Sequence, residues 1–134
     1  GAVDAGLLIL DAMEGSGLEI RTWCLSRAFS MAALIFSAGT KRFIFKHAEL
    51  MIHQPLISAS RIEGNASMIK AVSDSLISTS KIINTILSKN TGKSEQEIES
   101  VTRTDTYFTA TEAISFGLAD EIADMKGLIR KDEK

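Results

Sequence analysis

Short β-rich runs alternate with helical runs along the chain, and the helical runs are long enough to carry the backbone from one end of a sheet back to the other. Strands joined by helical crossovers pair in parallel, and a parallel sheet needs both faces covered. The expected class is therefore a layered α/β fold, a mainly parallel sheet with flanking helices. At 134 residues the chain holds one core, and no repeat or low-complexity linker divides it. Fold alone names no chemistry.

The individual runs can be read from spacing and punctuation. Leu7, Leu8, Leu10 and Met13 predict one face of a helix over 4–14, stopped by Gly15-Ser16-Gly17. Glu19 to Leu25 reads as a strand. From Ser30 to Ala38 the chain is small and apolar on every side, with Gly39 just beyond, which predicts a buried helix at the centre of the fold. Two β-rich runs follow, Arg42 to Phe45 and Glu49 to His53, and Pro55 ends the second. Ile69, Val72, Leu76, Ile83 and Leu87 then step at helical intervals through a helix from Asn65 to Lys89, too long for a globule of this size, so part of it should project. Ser94 with Glu97, and Thr109 with Glu112, predict capping boxes for helices over 95–102 and 110–116. A last strand near Ala119 to Ala123 leads into a charged tail over 126–134, so residues 1–125 form the single expected domain.

Composition removes several classes of function. Fifteen basic against seventeen acidic residues give a formal charge of −2 with no basic cluster, so neither nucleic acid nor an anionic membrane surface is an expected partner. The longest apolar stretch, Met31 to Phe36, is far short of the ~20 residues that span a bilayer. One cysteine, Cys24, and two histidines leave no zinc cluster to assemble, and no metal is expected. No Gly-rich phosphate loop is present. A reducing compartment, cytoplasm or organelle matrix, is the expected setting.

Three residues carry possible chemistry. Histidine is the usual general base near neutral pH, and only His47 and His53 are available. His47 lies beside Lys46 in a polar turn and reads as a solvated surface residue. His53 ends a strand, where sites collect in layered α/β folds, although a buried hydrogen-bonded histidine fits equally. Ser30 stands at the entry to the buried helix, where a hydroxyl is either an N-cap or a nucleophile close to backbone N–H groups. Asp105 falls at a junction of elements, as a turn aspartate or as the carboxylate that orients an imidazole.

Read together, these positions resemble a known family. The runs Ala28-Phe29-Ser30-Met31, Leu50-Met51-Ile52-His53-Gln54-Pro55-Leu56, Thr91-Gly92-Lys93-Ser94, and Thr109 to Ala113 with Phe116-Gly117-Leu118-Ala119-Asp120 are similar, in order and spacing, to the successive motifs of ClpP, the proteolytic subunits of ATP-dependent Clp proteases. The resemblance implies the ClpP/crotonase-like fold, with the long helix as its projecting handle. It implies a serine endopeptidase with catalytic residues Ser30, His53 and Asp105, and backbone oxyanion donors at Met31 and Gly1. It also implies stacked heptameric rings forming a tetradecamer, a hexameric AAA+ ATPase that feeds unfolded protein substrates into them, and no cofactor in this subunit, ATP being used by the partner. By this likeness the sequence is expected to lack the family's N-terminal part, which would stand ahead of Gly1. Arg103-Thr104, and the glycine-poor run from Leu56 to Gly64, depart from the family's common pattern. A non-catalytic ring subunit, or a crotonase-like acyl-CoA enzyme on the same architecture, are the alternatives.

Overall fold

The computed structural model describes residues 2–56 and 64–129 of the chain. Its elements are α1 (Val3–Gly15), β1 (Arg21–Cys24), β2 (Arg27–Phe29), α2 (Met31–Ser37), β3 (Lys41–Phe45), β4 (Glu49–Ile52), α3 (Ala66–Thr91), α4 (Glu95–Thr102), β5 (Thr106–Thr109), α5 (Ala110–Phe116), β6 (Glu121–Ala123) and α6 (Met125–Ile129). They form a layered α/β fold with two three-stranded sheets, ordered β1-β3-β6 and β2-β4-β5. The first is parallel throughout. In the second, β2 and β4 run parallel while β5 returns antiparallel to β4.

The parallel character is as expected; the division into two sheets is not. It depends on β2 and β5, three and four residues long, too short for a period of two to register in the sequence. Both lie against β4, whose Leu50, Met51 and Ile52 are all buried, the continuous apolar run of a strand covered on both faces.

Between the layers lies α2, with Met31, Ala33, Leu34, Phe36 and Ser37 buried. It packs on α1, α3, β1, β2 and β4. In α1 the buried positions are Gly6 and Leu10, with Leu7 and Met13 partly buried. Leu8, expected on that face, points outward and is 69% exposed. Gly6 has a packing reason: a Cβ there would collide with the Met31 side chain, so glycine lets α1 close on the head of α2.

Capping follows the predicted residues. The Asn65 side chain accepts from Met68 N at 3.0 Å at the head of α3, and Gly92 ends that helix at φ 76°. At α5 both halves of the capping box form, and the Thr109 N–H bond holds the Glu112 carboxyl below its usual range. At α4 the Ser94 hydroxyl accepts from Glu97 N, but the Glu97 carboxylate meets that hydroxyl instead of the Ser94 N–H, leaving the box half made. Met125–Ile129, all but its first residue in the run expected as tail, is a short exposed helix opened by Asp124, whose Oδ1 accepts from Gly127 N at 2.9 Å.

One buried cation holds the far side together. Arg42 of β3 is 9% exposed. Its Nη1 donates to the carbonyls of Ser37, Asn90 and Gly117, at the ends of α2, α3 and α5, at 3.2, 2.9 and 2.7 Å. Its Nε and Nη2 grip Asp120 at 3.0 and 2.7 Å. A guanidinium's fixed fork of donors suits carbonyls converging from several directions. Gly117 takes part because its φ of 94° and its contact with the Thr91 carbonyl leave no room for a side chain.

Of α3, only Ile83 and Leu87 are buried. The helix is 26 residues long, about 39 Å at 1.5 Å per residue. Ile69 and Val72, expected on its apolar face, are 46% and 40% exposed. Its N-terminal two thirds project, as its length predicts.

Candidate active site

The β2-β4-β5 sheet gathers the three candidate residues at one end. Phe29 of β2, Met51 of β4 and Tyr107 of β5 form one row across it, and the rings of Phe29 and Tyr107 meet edge to face at 5.7 Å. One step further, Ser30 leaves β2 level with Ile52, and its N–H donates to the Met51 carbonyl at 2.8 Å. Ile52 pairs with Thr106, so the next residues out, His53 and Asp105, face each other across the β4–β5 ladder. Residues far apart in sequence thus meet because they end three neighbouring strands.

Ser30 takes an unusual conformation. Its φ of 60° and ψ of −119° make it the only non-glycine residue with positive φ among those described, a strain of about 1–3 kcal/mol. The chain passes from β2 into α2 with no intervening loop, and this sharp turn presents the hydroxyl at the mouth of the site. Ser30 Oγ lies 2.7 Å from His53 Nε2. Its side chain makes no cap bond to α2. The N-cap role open in the sequence is therefore not the one the hydroxyl plays.

The second half of the site is looser. Asp105 Oδ1 is 3.6 Å from His53 Nδ1, outside hydrogen-bond reach, and its side chain is 56% exposed. His53 Nδ1 is buried without a hydrogen-bond partner. Two bonds to backbone carbonyls hold the pieces in place: Gln54 N donates to that of Thr102 at 2.9 Å, and the Thr106 side-chain Oγ1 donates to that of Val101 at 2.7 Å.

Beside the hydroxyl–imidazole pair is an apolar cleft of about 30 Å³, walled by Val3, Met31, Leu34, Ile52, Pro55, Ile83 and Leu87. Ile83 and Leu87 reach it from α3. Sequence reasoning placed them only on a core stripe, and nothing in their spacing distinguishes a core contact from a site wall. The Met31 N–H heads α2, where a helix leaves its first N–H groups unbonded. Gly1, the other expected oxyanion donor, lies outside the described residues, as does the glycine-poor run over 57–63. His47 is exposed and does not line the cleft.

A protein-family model described as Clp protease matches residues 1–126. The chain belongs to the Clp protease family. Its two sheets, long helix and buried α2 are consistent with the ClpP fold. Membership makes it a ClpP-like protease and implies an oligomeric assembly that works with Clp ATPases. Among the described residues, no group of three or more His, Cys, Asp and Glu is placed to hold a metal ion, and no helix is long and apolar enough to cross a membrane. Cys24 is buried, which pushes its thiol pKa up and keeps it protonated.

Proposed function

We propose that this Clp-family subunit is a serine endopeptidase in which Ser30 is the nucleophile, His53 the general base and Asp105 the orienting carboxylate. The observation that carries the reading is the 2.7 Å contact between Ser30 Oγ and His53 Nε2, formed at a strained strand-to-helix turn. Nε2 takes the hydroxyl proton as Oγ attacks a peptide carbonyl carbon, giving a tetrahedral oxyanion and an imidazolium. The Met31 N–H, with that of Gly1 as the second donor, accommodates the negative oxygen. When the C–N bond breaks, the imidazolium hands its proton to the departing amine and the acyl group remains on Oγ. A water molecule, deprotonated by the same nitrogen, then releases the acid and restores the serine. Asp105 steadies the imidazolium once its carboxylate closes on Nδ1.

Substrates in this reading are unfolded polypeptides delivered by a hexameric AAA+ ATPase to a chamber of two stacked heptamers, in the cytoplasm or an organelle matrix. The subunit itself needs no cofactor. The exposed handle α3 supplies surface for ring-to-ring packing. The 3.6 Å gap between His53 and Asp105 favours one second reading, a ring subunit that contributes surface and does not cleave.

A fluorophosphonate probe decides between them. Covalent labelling of the purified protein at Ser30, lost in His53→Ala, is the expected result. A folded, assembled protein that stays unlabelled and cuts no peptide would leave only the ring-subunit reading.

A further inference from the structure

The residues that follow His53 and Asp105 in the chain are fastened to the same place. Gln54 N donates to the Thr102 carbonyl and Thr106 Oγ1 to the Val101 carbonyl. These are consecutive carbonyls in the last turn of α4, among the terminal acceptors that a helix leaves without intrahelical partners. That turn is itself fixed: Ile98 and Thr102 are buried, and the Thr102 hydroxyl donates back to the Ile98 carbonyl at 2.8 Å. The end of α4 is thus one frame for both the imidazole and the carboxylate.

The two fastenings differ in kind. On the histidine side the donor is a backbone N–H, which every residue but proline supplies. On the aspartate side it is a side-chain hydroxyl, so the identity of residue 106 matters. The same hydroxyl lies 3.4 Å from the carbonyl of Thr104, the peptide group that leads into Asp105, and so spans the turn on which Asp105 rides. The Asp105 carboxylate has no hydrogen-bond partner of its own among the described residues and stands 3.6 Å from His53 Nδ1. Closing that gap to hydrogen-bond length takes under about 1 Å, and therefore depends on where the turn holds the backbone of Asp105.

We propose that Thr106 is a positioning residue for the reaction: its hydroxyl holds the turn in the place from which Asp105 closes on His53 Nδ1. This inference rests on the peptidase reading given above.

The test uses the full chain and a short fluorogenic peptide. Thr106→Val keeps the β-branched shape and removes the donor. It is expected to lower kcat by about tenfold, what one neutral hydrogen bond is worth, with KM unchanged, because neither Thr106 nor Asp105 touches substrate in this reading. Thr106→Ser keeps the hydroxyl and should stay within about twofold of the parent. In an Asp105→Asn background Thr106→Val should cost nothing further, whereas a hydroxyl that only supports the fold would cost the same factor in both backgrounds. Fluorophosphonate labelling rates give the same comparison where turnover is too slow to follow, and Thr106→Ala stands in if the valine variant does not fold. Full activity in a folded Thr106→Val, a serine variant as slow as the valine one, or equal losses in the two backgrounds would each overturn the inference and leave the peptidase reading standing. A parent protein that neither cuts peptide nor takes the label would overturn both.

Discussion

Two polar clusters stand on different sheets of this molecule, and they are finished to different degrees. Around Arg42 every direction is answered: three helix-end carbonyls and both oxygens of Asp120 surround one guanidinium. Around His53 the bonding stops halfway, with a close hydroxyl on one nitrogen and an unpartnered buried nitrogen on the other. A cluster that only holds a fold gains by saturating its donors, because each buried group left unpaired costs about 1–3 kcal/mol. In the peptidase reading proposed above this second cluster passes a proton and needs unused capacity; it also carries the one strained non-glycine residue among those described.

Substitutions should separate the two clusters cleanly. Ser30→Ala is expected to lower kcat for a short peptide by about 10⁴-fold or more, with circular dichroism unchanged. A smaller loss of about 10²–10⁴-fold is expected for Asp105→Asn, since an amide cannot stabilise the imidazolium and favours the wrong tautomer. Equal activity of Asp105→Asn and the parent would show that the open half of the site plays no part. Arg42→Ala should do the reverse. It leaves several carbonyls without a donor and is expected to cost about 2–4 kcal/mol in denaturant unfolding, with fluorophosphonate labelling retained below the melting temperature. The Asp120 ion pair adds little to that figure, because the carboxylate side chain is 45% exposed and solvent screens it.

The smallest effect is one of pH. Hydrogen bonding to Arg42 holds the Asp120 carboxyl below its ordinary value of 3.8. Its contribution is therefore complete above that value and is lost as pH falls through the lower, folded-state one. Melting curves from pH 5 downward should show this as a slight acid sensitivity that Asp120→Asn removes. An identical acid slope in the variant would mean that the pair contributes nothing measurable.

The first five helices and the position of His53 were legible in the sequence because they depend on local rules: spacing, caps, and a proline that ends a strand; the short α6 was missed. The second sheet was not legible. Neither Arg27–Phe29 nor Thr106–Thr109 is expected as a strand, yet β4 pairs with both, and that pairing is a non-local event. The family motifs led to Ser30, His53 and Asp105 without saying why they meet; the strand register supplies the reason. Arg42 passed unnoticed because its chief partner is 78 positions away, and its charge gave no hint of burial.

The projecting part of α3 exposes Met68, Ile69, Val72, Ile77 and Ile82 at 40–56%. Apolar area left outside a chain's own core is area whose burial must come from neighbours, and a state stabilised by association obeys mass action. For this molecule dilution should act as a weak denaturant. Melting temperature is expected to climb with protein concentration, so that how much of the subunit is present helps decide how firmly each copy is folded.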